Sequence, residues 1–479
     1  PGTDVALLMG MMRVIVEDGL LDSAFIEQRC ENFDAFRESL RSFTLDFVEQ
    51  ITGVPREKIV EAARRYARAK PAAILYAMGI TQHSHGTDNV LAVSNLALLT
   101  GNMGKPGAGV NPLRGQNNVQ GSCDMGALPN VYSGYQRVDD PEVRRKFETA
   151  WGSSLSSSPG LTLTEILNAA YQRQIKALYI VGENPALSEP CARHAQGALE
   201  ELEFLVVQDI FLSDTARHAH VVLPAVSFAE KDGTFTNTER RVQRIRKAIE
   251  PVGASRPDWW ITCQIATRLG GKGFNFTHPA EILEEAAALT PSYKGISYNR
   301  LENGGLQWPC PSSEHPGTPI LHTERFLTRN GMGRFMPLEF RPSAELPDAE
   351  YPLVLTTDRS LYHYHTGTMT RRVAGLNILR SQELVEINPR DATALGIAEG
   401  EMVRVRSRRG EVITRAKVTE DLPPGVVSMT FHFAESPTNL LTNPALDPVA
   451  KIPELKVCAV RIEKTKGQLP SSSILEAPR

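Results

Sequence analysis

Over the first hundred residues the hydrophobic and polar positions alternate between helical and strand periods. Ile59, Ala63 and Tyr66 recur at helical spacing behind Pro55, with Arg64, Arg65 and Arg68 turned toward water. This predicts a helix from Pro55 to about Ala69, with the proline in its first turn. The apolar run Ala72–Met78, bounded by Pro71 and Gly79, predicts a buried strand. Leu91–Leu99 predicts a helix stopped by the glycines from Gly101 onward. Residues 101–121 follow neither period and are rich in Gly, Asn and Pro, which predicts a long loop between structured segments. Loops of that length in a compact chain tend to carry function.

Beyond the Ser-rich stretch Ser153–Gly160, an exposed loop by composition, three apolar runs appear at Ala177–Val181, Phe204–Val207 and His220–Leu223. They end in Gly182-Glu183-Asn184-Pro185, Gln208-Asp209 and Pro224, and a helical pattern over Glu189–Leu202 separates the first two. Polar residues at the C-terminal ends of parallel strands are where open α/β sheets bind ligands. After about residue 340 the period becomes two. Val403 and Val405 alternate with Arg404 and Arg406. A turn at Arg409-Gly410 follows, and Val412, Thr414, Ala416 and Val418 then alternate with Arg415 and Lys417. That is a hairpin with one buried face. With strands at Pro352–Thr356 and Val426–Phe431 and a short helix at Asp391–Leu395, it predicts a small β-barrel of the six-stranded type. The tail Gly467–Arg479 reads as an exposed extension. The expected fold class is therefore α/β, with open parallel-sheet domains followed by that barrel. The expected divisions are residues 1–116, 117–340 and 341–479.

Composition narrows the function. The 479 residues carry 52 Lys+Arg against 55 Asp+Glu, a net charge of −3, and the mean hydropathy is −0.23. There is no basic field to hold nucleic acid, and no apolar run long enough to span a membrane. The six cysteines include no C-x-x-C pair, which removes a zinc ribbon and an iron–sulfur ligand run and leaves reduced, buried thiols suited to a cytoplasmic setting. Gly104–Gly109 contains Pro106 and opens no helix, so it fits neither a Walker loop nor a nicotinamide fingerprint. H-E-x-x-H and G-x-S-x-G are absent.

Three polar clusters remain. Arg114, in the Gly- and Asn-rich segment, could grip a small carboxylate through its guanidinium fork, or could simply satisfy loop carbonyls. Thr357–Gly367 packs donors and aromatics in a strip suited to a polyanion. Its His363 and His365, at i and i+2, could bind metal or merely form hydrogen bonds. Lys231–Arg241 is a ligand loop or a solvated charged one.

The run Arg114-Gly115-Gln116-Asn117-Asn118-Val119-Gln120-Gly121-Ser122-Cys123-Asp124-Met125-Gly126 resembles the signature of molybdenum- or tungsten-dependent formate dehydrogenase catalytic subunits, within the molybdopterin oxidoreductase (DMSO reductase) family. The resemblance recurs at Val181–Pro185, Val207–Asp209, Gly233–Arg241, Thr357–Thr366 and Asn439–Lys456. It implies that the open parallel-sheet domains are dinucleotide-binding, with a cofactor of two molybdopterin guanine dinucleotides holding Mo or W. By position their contacts would be Asp4, Met78 and Gln82 near the first strands, then Gly182, Asn184, Gln208, Asp209, Lys231 and Asp258 in the open α/β domain. The barrel would add Arg359, His363, His365, Thr366, Phe431, Asn439 and Lys456. Arg114 would be the catalytic arginine that holds formate and aims its C–H bond at the metal.

The resemblance also implies electron-transfer partners of iron–sulfur, diaphorase or hydrogenase type, with formate and CO2 as substrate and product. None of the six cysteines is followed by histidine, so no metal ligand is assigned in this chain. The resemblance places the metal-ligating Cys or selenocysteine, its neighbouring histidine and a 4Fe–4S cluster upstream of the segment matching Pro1. The chain is then expected to be the C-terminal part of a catalytic subunit, inactive alone. Another oxoanion reductase of the same family, or a metal-free scaffold like the family-related subunit of respiratory complex I, are the alternatives.

Overall fold

The computed structural model describes residues 1–466, so the tail Gly467–Arg479 lies outside the described residues. Three apolar faces converge to form the first core. Val5, Met9, Met12 and Ile15 on helix Asp4–Glu17 meet Ile59 and Ala63 on helix Arg56–Arg68, and Leu96 and Leu99 on helix Gly86–Leu99. The predicted arginines of the second helix face outward, and Arg64 pairs with Asp18 at 2.6 Å. Phe326, Phe335 and Leu338, late in the 117–340 stretch, complete this same core. Phe335 stacks on Phe36 at 4.9 Å, and Gly333-Arg334 pairs in parallel with Cys30-Glu31. Gly333 is required there, because a Cβ would come within 2.9 Å of both Leu98 and Phe326.

The strand expected at Ala72–Met78 is Ala73–Tyr76, and its expected burial is corrected. Ala73 and Leu75 face outward, with Leu75 62% exposed. Only Gly109–Pro112 pairs with it, and Ile74 alone packs into the core, so one side of the two-stranded sheet is uncovered among the described residues. The long loop is corrected too. Strand Gly109–Pro112 and helix Val119–Asp124 both arise within or across 101–121. Their poor intrinsic propensity is overridden by a parallel partner strand and by side-chain bonds to distant segments.

The second sheet follows the expected order, with Ala177–Val181, Phe204–Asp209 and Val221–Pro224 paired in parallel. One face buries Leu205 and Val207 against Leu167, Ala170, Ala195 and Leu199 of helices Leu163–Tyr171 and Ala192–Glu200. The helix expected over Glu189–Leu202 is Ala192–Glu200, starting after Cys191 at φ +51°, and a further short helix, Pro185–Ser188, precedes the expected range.

The barrel closes as anticipated. Around it run Leu353–Thr357, Val426–Met429, Leu384–Ile387, Glu411–Val418, Met402–Arg406 and Cys458–Lys464, the last pairing back to the first. Val403 faces Thr414 and Val405 faces Val412 across the hairpin, and these valines are buried. Leu355 and Val427 sit at the centre, both fully buried. Leu355→Ala should therefore cost about 3 kcal/mol by cavity formation, read as a lowered urea midpoint. Barrel loops also clasp the other units. Glu454 accepts from Ser84 N and Oγ at 3.2 and 2.9 Å, Asp447 accepts from Thr87 N at 2.9 Å, and the Asn439 amide donates to Leu187 O at 2.8 Å.

Candidate functional site

Because those clasps pull the barrel against the ends of both sheets, a cleft of about 380 Å³ opens where the three units meet. Gln82, Arg359, His365, Phe431 and Asn439, all singled out from sequence, line it together with Glu183, Ser188, Glu189 and Lys451. Gly182 makes the turn that delivers Glu183. Its φ is +63°, and no atom lies within 4 Å of the place a Cβ would take.

Arg359 and Lys451 line the cleft, and Lys456 follows the lining residue Leu455. Arg359 lies over the Phe431 ring at 5.1 Å, and burial draws its pKa down. The ammonium of Lys456 donates to the Thr357 carbonyl, and burial followed by the Arg359 charge brings its pKa down to about 8. Neither forms an ion pair among the described residues. Opposite them, Glu189 is pushed up to about 7 by burial, and Glu183 is raised by burial and by Asp209. The Asn439 Oδ1 is buried without a donor. A lining with cations that form no ion pair among the described residues, an orphaned acceptor and desolvated carboxyls fits a ligand carrying both phosphate charge and N–H donors.

The remaining predicted residues divide. Gln208, Lys231 and Asp258 form one cluster at the end of the second sheet. Gln208 Nε2 donates to Asp258 Oδ1 at 2.7 Å, Lys231 pairs with Asp258 Oδ2, and the Tyr179 hydroxyl donates to Gln208. Asp209 stands beside them, its pKa raised by burial. Asn184 uses all its groups internally. Its Oδ1 accepts from Thr215 N and Oγ1 at 3.0 and 2.7 Å, and its amide donates to Asp214 and Thr368. Thr366 bonds Thr368 at 2.8 Å. His363 is also spent on structure, with Nδ1 near Thr370 Oγ1 at 3.2 Å and Nε2 donating to Arg380 O at 2.7 Å. Met78 opens the short helix Met78–Thr81, and Asp4 lies 3.8 Å from His83 Nε2. Among the described residues no group of three or more His, Cys, Asp or Glu is arranged to hold a metal ion.

Arg114 stands apart from the cleft but adjoins it. It is exposed and forms no ion pair among the described residues, and it lines a larger cavity of about 800 Å³ with Tyr135, Arg240, Trp308 and His322. The next residue is the seam, since a Cβ on Gly115 would lie 3.7 Å from Arg359 Nη1. Sequence reasoning passed over what steadies this loop. Asp124, fully buried at the end of helix Val119–Asp124, accepts from Gln120 Nε2 at 2.8 Å and the Tyr135 hydroxyl at 2.9 Å. It also accepts from the Tyr293 hydroxyl at 2.6 Å and Trp308 Nε1 at 2.7 Å. The i, i+4 spacing of Gln120 and Asp124 was the visible signal; Tyr293 and Trp308 are too distant in sequence to infer.

Lys456 carries a pH prediction. Its folded pKa lies below the unfolded one, so the unfolded chain binds more protons between them and stability rises with pH across that interval. In cofactor-free protein the thermal midpoint should gain a rising component above pH 8, and Lys456→Met should remove it.

An open parallel sheet and a closed barrel enclosing a cation-bearing cleft define a nucleotide-cofactor-binding protein. Comparison with known proteins specifies it. The molybdopterin oxidoreductase model matches residues 1–268, and the molydopterin dinucleotide binding domain model matches residues 353–459. The chain is 52% identical over 465 residues to the F420-dependent formate dehydrogenase subunit alpha of Methanocaldococcus jannaschii, covering 97% of this chain and 69% of that protein. It is 43% identical to formate dehydrogenase H of Escherichia coli, covering 98% and 66%. The structure of acetylene hydratase from Pelobacter acetylenicus shares the fold, with a TM-score of 0.72 at 18% identity over 97% of this chain and 70% of that one. The chain belongs to the molybdopterin oxidoreductase family. It is thus part of an oxidoreductase with a molybdopterin cofactor. Among the described residues no helix is long and apolar enough to cross a membrane.

Proposed function

We propose that this chain is the cofactor-holding part of a formate dehydrogenase catalytic subunit, which oxidises formate reversibly to CO2 and passes the electrons to iron–sulfur clusters. The observation that carries the reading is Arg114, an exposed guanidinium without an ion pair among the described residues, on a braced loop whose next residue, Gly115, approaches Arg359 of the cleft. The formate dehydrogenase names of the relatives support it.

Two molybdopterin guanine dinucleotides holding Mo or W would occupy the three-unit junction. Gln82, Arg359, His365, Phe431, Asn439 and Lys456 would face one of them. Gly182, Asp209, Gln208, Lys231 and Asp258 would offer the sheet-end cluster, and Asp4 and Met78 would contribute from the first unit. His363, Asn184 and Thr366 would hold the surrounding loops in shape. On a division into residues 1–116, 117–340 and 341–479, each part would contribute one wall. When bound, the metal centre supplies the electron-accepting site. Arg114 binds the formate carboxylate through two parallel N–H donors, which fixes the direction of the C–H bond. The loop passes close to Arg359 at Gly115, and the positive charges concentrate the anionic substrate. The 4Fe–4S cluster and the metal ligand would lie outside this chain, and partner subunits would take the electrons. Six unpaired thiols favour a cytoplasmic setting.

Metal and pterin analysis of the complete protein decides between this enzyme and a metal-free scaffold. Mo or W with about two pterins per chain supports the enzyme; neither metal nor pterin supports the scaffold.

A further inference from the structure

We propose that His432 is a positioning residue of the dinucleotide cleft: its neutral imidazole, protonated at Nδ1, clamps both ends of the turn that presents Arg359 and His365. The inference rests on the cofactor reading above.

His432 is fully buried just beyond the barrel strand Val426–Met429. The Ser360 backbone N–H donates to its Nε2 at 2.8 Å. A backbone amide can only donate, so Nε2 carries the lone pair and the ring proton must be on Nδ1. Nδ1 meets the carbonyl oxygen of His365, an acceptor that needs that proton. One tautomer therefore satisfies both contacts, and the imidazolium or the other tautomer would break at least one. Burial keeps the ring neutral, with its pKa down at about 4, and His363, Arg359 and His365 add to the depression.

The two contacts bracket the residues that matter. Arg359 immediately precedes Ser360, and both it and His365 face the cleft. Neither makes a side-chain hydrogen bond among the described residues. Both pack on the Phe431 ring, at 5.1 and 5.4 Å, and with no hydrogen bond of their own the backbone of the turn sets where they point. That backbone is not in a relaxed state, since His365 has φ +49°, a region uncommon outside glycine. A bond to its carbonyl is what holds such a residue in place.

The clamp itself is well anchored. Thr430, two residues earlier, gives its N–H and hydroxyl to the buried Glu383 at 3.1 and 2.6 Å. Gly367 packs so closely that a Cβ would sit 2.3 Å from the His432 carbonyl oxygen. The turn therefore has no slack in which to find another route.

The test compares His432→Gln, which retains a donor and an acceptor, with His432→Met, which keeps the bulk and loses both. Pterin per chain is measured by fluorescence after oxidative release from the complete enzyme, with circular dichroism as the fold check. Loss of two hydrogen bonds should lower the pterin content of the Met variant about tenfold under competing dilution, while the Gln variant stays within about twofold of wild type. Equal loading of the two folded variants, whether both full or both empty, overturns the clamp. If the Met variant does not fold, the 15N-histidine spectrum of wild type decides. The His432 signal, identified by its loss in the Gln variant, must report Nδ1–H, and Nε2–H would overturn the proposal. Wild type without pterin would instead contradict the cofactor reading, and the same spectrum would still judge the clamp.

Discussion

Arg114→Ala in the complete enzyme is expected to lower kcat/KM for formate about a thousandfold. The arginine supplies two charge-assisted hydrogen bonds and the orientation they impose, together worth about 4 kcal/mol in the transition state. Its exposure, and the absence of an ion pair to it among the described residues, leave the guanidinium open to substrate. Arg114→Lys restores charge without the planar fork, so it should recover affinity for formate more than turnover. Steady-state assays with an artificial acceptor read both effects. Near-normal turnover by the alanine variant would remove Arg114 from the chemistry.

The second large effect is structural and lies beneath the first. Asp124→Ala leaves the Tyr293 and Tyr135 hydroxyls, Trp308 Nε1 and the Gln120 amide without their shared acceptor. Breaking a buried carboxylate network of this kind costs about 4 kcal/mol. A fall of about 8 °C in the thermal midpoint is expected on the usual relation between stability and melting. Because the helix that ends in Asp124 starts five residues after Arg114, the KM for formate should rise in parallel. Asp124→Asn keeps one acceptor oxygen but turns an NH2 toward donors, so it should fall between. An unchanged midpoint in the alanine variant would show that the four bonds are not holding these segments together.

The barrel was legible because each strand buries alternate residues against its own neighbours, as Val403, Val405, Val412 and Ala416 do. The parallel sheet was legible in its three apolar runs, and Gly182 and Gln208 stand at the C-terminal ends of its strands. The strand Ala73–Tyr76 misled because an apolar run gives no sign of how many layers will cover it. The strand at Gly109–Pro112 was hidden because its hydrogen bonds depend on a partner more than thirty residues earlier. At the site, cations and glycines carried the signal. Glu189 and His432 did not, since what distinguishes them is burial and a partner brought in by the fold. Asn184 and His363 show the converse: both sit beside the cleft, yet their hydrogen bonds are taken by neighbouring loops.

The central claim is formate oxidation by a subunit that contains this chain. The most direct measurement supplies 13C-formate to the complete purified enzyme under anaerobic conditions and follows 13CO2 against reduction of a one-electron dye. The account predicts formate-dependent dye reduction, with one CO2 released for every two electrons transferred. An enzyme loaded with metal and pterin that reduces no dye with formate would contradict it.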